Sequence, residues 1–130
     1  MTDWQGKRYW IVGASEGLGR EVAKRISAAG AEVIVSARNE DRLTSLVAEL
    51  GGRASYVTLD VTDINAVQAA AAQIGHIDGV VYLAGVYWPM KASEWDHERA
   101  DMMGQINYLG ASRVVGAVIG QMVDRGRGHI

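Results

Sequence analysis

Three glycines in the run Gly13-Ala14-Ser15-Glu16-Gly17-Leu18-Gly19 directly follow the strand-like stretch Arg8-Tyr9-Trp10-Ile11-Val12. A strand that runs into a glycine-rich turn and then opens a helix builds a phosphate site from main chain alone. Glycine allows the tight turn and lets a ligand approach the backbone. The start of the helix presents unpaired N–H groups and the positive end of its dipole to an anion. The natural occupant is the pyrophosphate of a dinucleotide. The spacing is Gly-x-x-x-Gly-x-Gly rather than Gly-x-Gly-x-x-Gly. The weight of the argument therefore rests on the position of the cluster between a strand and a helix.

The elements that must position this turn alternate along the chain. Leu18, Val22 and Ile26 lie four apart and predict one face of a helix that stops at Gly30. Glu32–Ala37, centred on Val33-Ile34-Val35, predicts a buried strand. Asn39 is a candidate N-cap with Glu40 and Asp41 in the first turn, followed by the stripe Leu43, Leu46, Val47 and Leu50 that ends at Gly51-Gly52. Ala54–Leu59 predicts a third strand, and Thr62 a cap for a helix carrying Ile64, Val67, Ala71 and Ile74 on one side. Gly79–Leu83 predicts a fourth strand. Ser93 then caps one long helix, with Glu94 and Asp96 near its start, that runs through Met102, Ile106 and Leu109 to about Asp124. Repeated β-α-β units imply an α/β fold: a Rossmann-like, doubly wound parallel sheet in three α/β/α layers with right-handed crossovers.

Composition narrows the function classes. A chain of 130 residues, 48% hydrophobic and 22% charged, is sized for one soluble globular domain. A formal net charge of −2 without a basic block gives nucleic-acid binding no electrostatic support. The absence of cysteine excludes disulfides, thiolate nucleophiles and cysteine metal sites. His76, His97 and His129 are scattered without metal-ligand spacing, so no metal site is expected. Met1–Lys7 carries no signal-peptide core. The longest apolar run, Val114 to Val123, is interrupted by Gly116, Gly120 and Gln121 and falls short of the roughly 20 residues a bilayer requires. A cytoplasmic protein without membrane association is expected.

Three further positions line up with the glycine turn: Asp60-Val61 after the third strand, Ala84-Gly85 after the fourth, and Asn107 inside the long helix. Together these motifs resemble the short-chain dehydrogenase/reductase family, and the resemblance extends from Lys7 to Ile130. It implies a nicotinamide-dependent oxidoreductase that interconverts a small-molecule carbonyl and an alcohol, as a homodimer or homotetramer. It also implies roles. Gly13, Ser15, Gly17, Leu18 and Gly19, with Glu16 among them, would form the pyrophosphate turn. Asp60 would accept a hydrogen bond from the adenine amino group, with the Val61 backbone beside it. Ala84 and Gly85 would pass close to the adenine-side ribose. Asn107 would match the asparagine of the family's catalytic tetrad, which supports a water in the proton relay.

The end of the second strand bears on the cofactor. An Asp or Glu there would hold a ribose 2′-hydroxyl and repel a 2′-phosphate. The sequence instead reads Ser36-Ala37-Arg38-Asn39, and the Arg38 guanidinium suits a phosphate. NADP(H) is expected in preference to NAD(H). Glu16 points the other way, because many NADP-preferring relatives carry a basic residue there. Other departures concern catalysis. Tyr82-Leu83 stands where relatives have two asparagines, and the tyrosine that is followed four residues later by lysine, Tyr87 before Lys91, lies with Pro89 in the loop after the fourth strand rather than on a helix. Residues 1–130 are therefore expected to be the N-terminal, dinucleotide-binding part of a longer domain. The sheet is expected to be incomplete at its C-terminal side, with the apolar edge Gly79-Val80-Val81-Tyr82-Leu83 unpaired. The competing readings are a non-catalytic dinucleotide sensor or scaffold of the same fold and an S-adenosylmethionine methyltransferase, the latter opposed by Ala37-Arg38.

Overall fold

Parallel strands cannot be joined by tight turns, and here each is followed by a crossover. The structure, a computed structural model, describes residues 3–130. Strands β1 (Arg8–Val12), β2 (Glu32–Ser36), β3 (Ala54–Tyr56) and β4 (Gly79–Tyr82) form one sheet in the order β3-β2-β1-β4. All pairings are parallel, with Trp10 opposite Ile34 on one side and Val80 on the other. The main helices are α1 (Gly17–Ala28), α2 (Glu40–Leu50), α3 (Ile64–Ile74), α4 (His97–Gly104) and α5 (Ala111–Arg125).

Side chains alternate across a strand, so β1 feeds two cores. Tyr9 and Ile11 join Val33 and Val35 against Ala23 and Ile26 of α1 and Leu43 and Leu46 of α2. Trp10 and Val12 join Ile34 and Val80 against Val67 and Ala70 of α3 and Val114, Val118 and Met122 of α5. The expected three-layer, doubly wound α/β/α arrangement is thus present. Trp10 is fully buried, and its indole N–H donates to the Ser36 hydroxyl at 2.9 Å. The strand order reverses between β2 and β4 on either side of β1. A crevice opens at such a switch point, outside the carboxyl ends of the strands.

Several local expectations need correction. The third strand is three residues long, not Ala54–Leu59; beyond it, Val57 and Leu59 each keep one bond, to the carbonyls of Val35 and Ala37. β2 ends at Ser36 and β4 at Tyr82, each one residue early. The buried face of α1 is Gly19, Ala23 and Ile26, while Leu18 is 69% exposed. The cap of α3 is Asp63, which accepts from the N–H groups of Asn65 and Ala66. Thr62 stands one residue before that cap, and its hydroxyl donates instead to Asp60 at 2.7 Å.

The long helix is interrupted. Ala92–Glu94 is a separate 3₁₀ turn, Asp96 caps α4, and Gln105–Gly110 is a π-helical turn between α4 and α5. The Tyr82 hydroxyl donates to the Ile106 carbonyl at 2.5 Å, satisfying an acceptor within the widened turn. Gly110 lies against the Tyr82 hydroxyl and Val61, so closely that a β-carbon there would overlap both. The extra residue in the turn shifts the helical phase, which leaves Met102 and Leu109 exposed while Ile106 and Val114 are buried. The outer edge of β4 is also not bare at its start. Gly79 bridges His129 in parallel, with Val80 N–H donating to His129 and His129 N–H to Asp78.

Candidate functional site

A cleft of about 390 Å³ lies at the carboxyl ends of the strands, walled by the segments that follow all four. Its first wall is the glycine turn. Gly13 has φ +90°, and a β-carbon there would strike the Ala84 backbone. A β-carbon at Gly19 would strike the Gly13 carbonyl oxygen. The two glycines therefore let the turn, the start of α1 and the segment after β4 approach one another. The Ser36 carbonyl fixes the turn by accepting from the N–H groups of Gly13 at 2.8 Å and Ala14 at 3.3 Å. Glu16 occupies the N-cap position of α1 with φ −154°, and its side chain caps nothing. The first-turn N–H groups of α1 are left for an anion. Gly17 has φ +57° and faces open space.

The second wall carries Ala37, Arg38 and Asn39. Asn39 caps α2 by accepting from the Arg42 N–H at 3.0 Å, as its sequence position predicts. Arg38 is exposed and takes part in no ion pair among the described residues. The third wall carries Asp60 and Val61. One Asp60 oxygen accepts from the Thr62 N–H at 3.0 Å and from the Thr62 hydroxyl. These bonds, backbone first, hold the Asp60 carboxyl below the ordinary aspartate range, and the Arg38 charge acts in the same direction. Asp60 is therefore an ionised acceptor at neutral pH.

The fourth wall carries Leu83, Ala84, Gly85 and Val86. Asn107 stands behind it. Its Oδ1 accepts from the Val86 N–H and its Nδ2 donates to the Val86 carbonyl, both at 2.8 Å. This two-point clasp ties the π turn to the segment after β4. Of the residues singled out from the sequence, Gly13, Ser15, Glu16, Arg38, Asp60, Val61, Ala84 and Gly85 share the cleft wall. Gly17, Leu18, Gly19 and Asn107 do not line it; Gly19 acts from behind by allowing the close approach.

Three contributors escape a reading of motifs. Ser36 joins the Trp10 indole to the glycine turn, and its only signal is a polar residue ending a buried strand. Arg42 lies on the cleft wall and pairs with Glu16. Its position three residues after the Asn39 cap, in the first turn of a helix that begins at the cleft, is the signal that could have found it. Tyr82 holds the π turn through its hydroxyl. The residues present fit a dinucleotide: a backbone cradle that β-carbons would fill, free helix N–H groups, an ionised acceptor, and a guanidinium where an acid would otherwise face the ribose.

Comparison with known proteins agrees with this geometry. A model of the family described as short chain dehydrogenase matches residues 7–130. Dehydrogenase/reductase SDR family member 7B of Danio rerio is 36% identical, over 97% of this chain and 45% of that protein. A fatty acyl-CoA reductase of Acinetobacter baylyi is 37% identical, over 97% of this chain and 46% of that protein. The chain spans about half the length of the curated relatives it matches. Among solved structures, a short chain dehydrogenase/reductase family protein superposes with TM-score 0.93 at 29% identity, over 98% of this chain and 54% of the other. An actinorhodin polyketide ketoreductase with NADPH superposes with TM-score 0.90 at 30% identity, over 98% of this chain and 52% of the other. On the match across residues 7–130 and the shared parallel sheet, the chain belongs to the short chain dehydrogenase family.

Proposed function

We propose that this chain supplies the NADP(H)-binding part of an oxidoreductase that interconverts a small-molecule carbonyl and an alcohol. The observation that carries the cofactor choice is Arg38, exposed on the cleft wall beside Ala37, with no ion-pair partner among the described residues. A guanidinium at the end of β2 welcomes a 2′-phosphate, and no carboxylate stands at that strand end to hold a bare 2′-hydroxyl. The nicotinamide group, when bound, gives hydride to carbon or takes it away.

The chain's own residues bind and orient. The backbone from Gly13 to Gly19 receives the pyrophosphate, with Ser15 and Glu16 on the rim and Leu18 beside it. Arg38 receives the 2′-phosphate, and Asp60 accepts from the adenine amino group through its second oxygen next to Val61. Ala84 and Gly85 leave room for the ribose. Asn107 acts as a positioning residue that fixes this last wall through Val86. In the resembled family a serine and a Tyr-x-x-x-Lys pair on a helix handle the substrate oxygen; the one such spacing here, Tyr87 and Lys91, lies in the loop between β4 and Ala92, outside any helix, and is given no catalytic role.

NADPH bound to a ketoreductase of the same fold and a fatty acyl-CoA reductase among the relatives support this class of reaction. A cytoplasmic homodimer or homotetramer completes the proposal. No helix among the described residues is long and apolar enough to cross a membrane. The test is Arg38→Ala, with dissociation constants for NADPH and NADH measured by calorimetry. NADPH should weaken at least about tenfold, as hydrogen bonds to a charged group do, while NADH stays within twofold. Equal losses would overturn the 2′-phosphate assignment.

A further inference from the structure

We propose that Arg42 is a second 2′-phosphate ligand and that Glu16 controls its availability, an inference that rests on the NADP(H) reading and deepens it. Arg42, Arg38 and Glu16 line one cleft. Arg42 is fixed at the first turn of α2 by its own N–H, which donates to the Asn39 cap at 3.0 Å. Arg20 reinforces this placement from α1. Its Nη1 donates to the carbonyls of Ser15 and Arg42, each at 3.3 Å, and so ties the glycine turn to α2. The Arg42 guanidinium then spans the mouth of the cleft to the Glu16 carboxylate.

That ion pair is exposed, with 51% of the Arg42 side chain and 71% of the Glu16 side chain accessible. Pairs of this kind shift equilibria by less than about fivefold. A sugar phosphate carries more charge than a carboxylate and offers three acceptor oxygens to the guanidinium fork. It therefore takes Arg42 from Glu16 when it enters beside Arg38. A dinucleotide with a free 2′-hydroxyl leaves the pair closed and gains nothing from Arg42. Glu16, the residue whose charge argues against NADP(H) in the sequence, is neutralised by Arg42 until the phosphate arrives. It acts as a brake on phosphate affinity rather than a bar to it.

The test uses the full-length protein and two probes for the adenosine end, 2′,5′-ADP and 5′-ADP, titrated by calorimetry. Melting curves of each variant establish that it is folded. Arg42→Ala should weaken 2′,5′-ADP about tenfold and leave 5′-ADP within twofold. Glu16→Gln should tighten 2′,5′-ADP about two- to fivefold more than it tightens 5′-ADP, whose diphosphate meets the same turn. Arg42→Lys, which keeps the charge without the fork, should fall between wild type and Arg42→Ala. If Arg38→Ala loses 2′,5′-ADP selectively while Arg42→Ala and Glu16→Gln behave as wild type, the role of Arg42 is overturned and the NADP(H) reading stands. Equal weakening of both probes by Arg42→Ala also overturns it, since that marks a structural effect. If Arg38→Ala shows no selective loss either, the NADP(H) reading falls first.

Discussion

Replacing Gly19 by Ala should damage the phosphate turn while sparing the fold. The new β-carbon would overlap the Gly13 carbonyl oxygen and sit 2.8 Å from the Gly13 carbonyl carbon and 3.1 Å from Ala14 Cα. All three atoms are backbone, so no rotamer change relieves the contact; the start of α1 must back away from the turn. Overpacking of this kind costs about 1–3 kcal/mol, and the better helix propensity of alanine returns up to about 1 kcal/mol. The net loss of stability is then about 0–3 kcal/mol, at about 4 °C of melting temperature per kcal/mol. Binding suffers more. Each N–H withdrawn from a charged acceptor forfeits about 1.5–3 kcal/mol, so the loss of one weakens the dinucleotide at least about tenfold. Gly116→Ala is the matched control. It makes the same chemical change in α5, where a β-carbon meets open space, and should raise stability by up to about 1 kcal/mol. Thermal melting of both variants with and without NADPH reads both effects. The reasoning is refuted if Gly19→Ala melts at or above wild type and keeps wild-type NADPH stabilisation.

Ser36→Ala should cost about 1–3 kcal/mol in urea denaturation, because it orphans the buried Trp10 indole N–H; a smaller loss than about 0.5 kcal/mol would show that this N–H finds another partner. Asn107→Ala removes both bonds to Val86 and should speed hydrogen exchange at the Val86 amide about tenfold with little change in global stability. Unchanged exchange there would contradict the clasp. Burial pushes the Tyr82 hydroxyl pKa up to about 12, against the pull of the nearby Arg113 charge. The folded state thus prefers the neutral phenol. That stability is intact below pH 10 and is lost as pH rises from 10 through 12, by about 1–2 kcal/mol after allowance for solvent screening. Tyr82→Phe should flatten this alkaline limb in pH-dependent melting, and an unaltered limb would refute the assignment.

The layers of the fold were legible because they follow from periodicity. The continuous apolar runs at Tyr9–Val12, Val33–Val35 and Val80–Val81 state burial on both faces of a parallel sheet. The segments that converge on the cleft were legible for the same reason, since each motif directly follows a strand. What escaped depends on contacts distant in sequence. The four-residue spacing of Leu18, Val22 and Ile26 puts Leu18 on the buried face, yet the need for Gly13 and Gly19 to touch gives that face to Gly19. The break in the long helix rests on Tyr82, 24 residues before Ile106, and on the clasp between Asn107 and Val86, 21 residues apart. Neither leaves a local signature. Thr62 and Asp63 are both competent caps, and the helix begins so that Asp63 accepts from the Asn65 and Ala66 N–H groups while Thr62 turns back to Asp60. The pairing of Glu16 with Arg42 spans 26 residues and exists only because the turn after β1 and the start of α2 meet over the sheet.

The central claim is that the cleft receives a dinucleotide bearing a 2′-phosphate. Calorimetric titration of the full-length wild-type protein with NADPH and with NADH, under identical salt, tests it most directly. The account predicts an NADPH dissociation constant at least about tenfold below that of NADH, the weight of one charge-assisted contact. Equal affinities, or tighter binding of NADH, would contradict it.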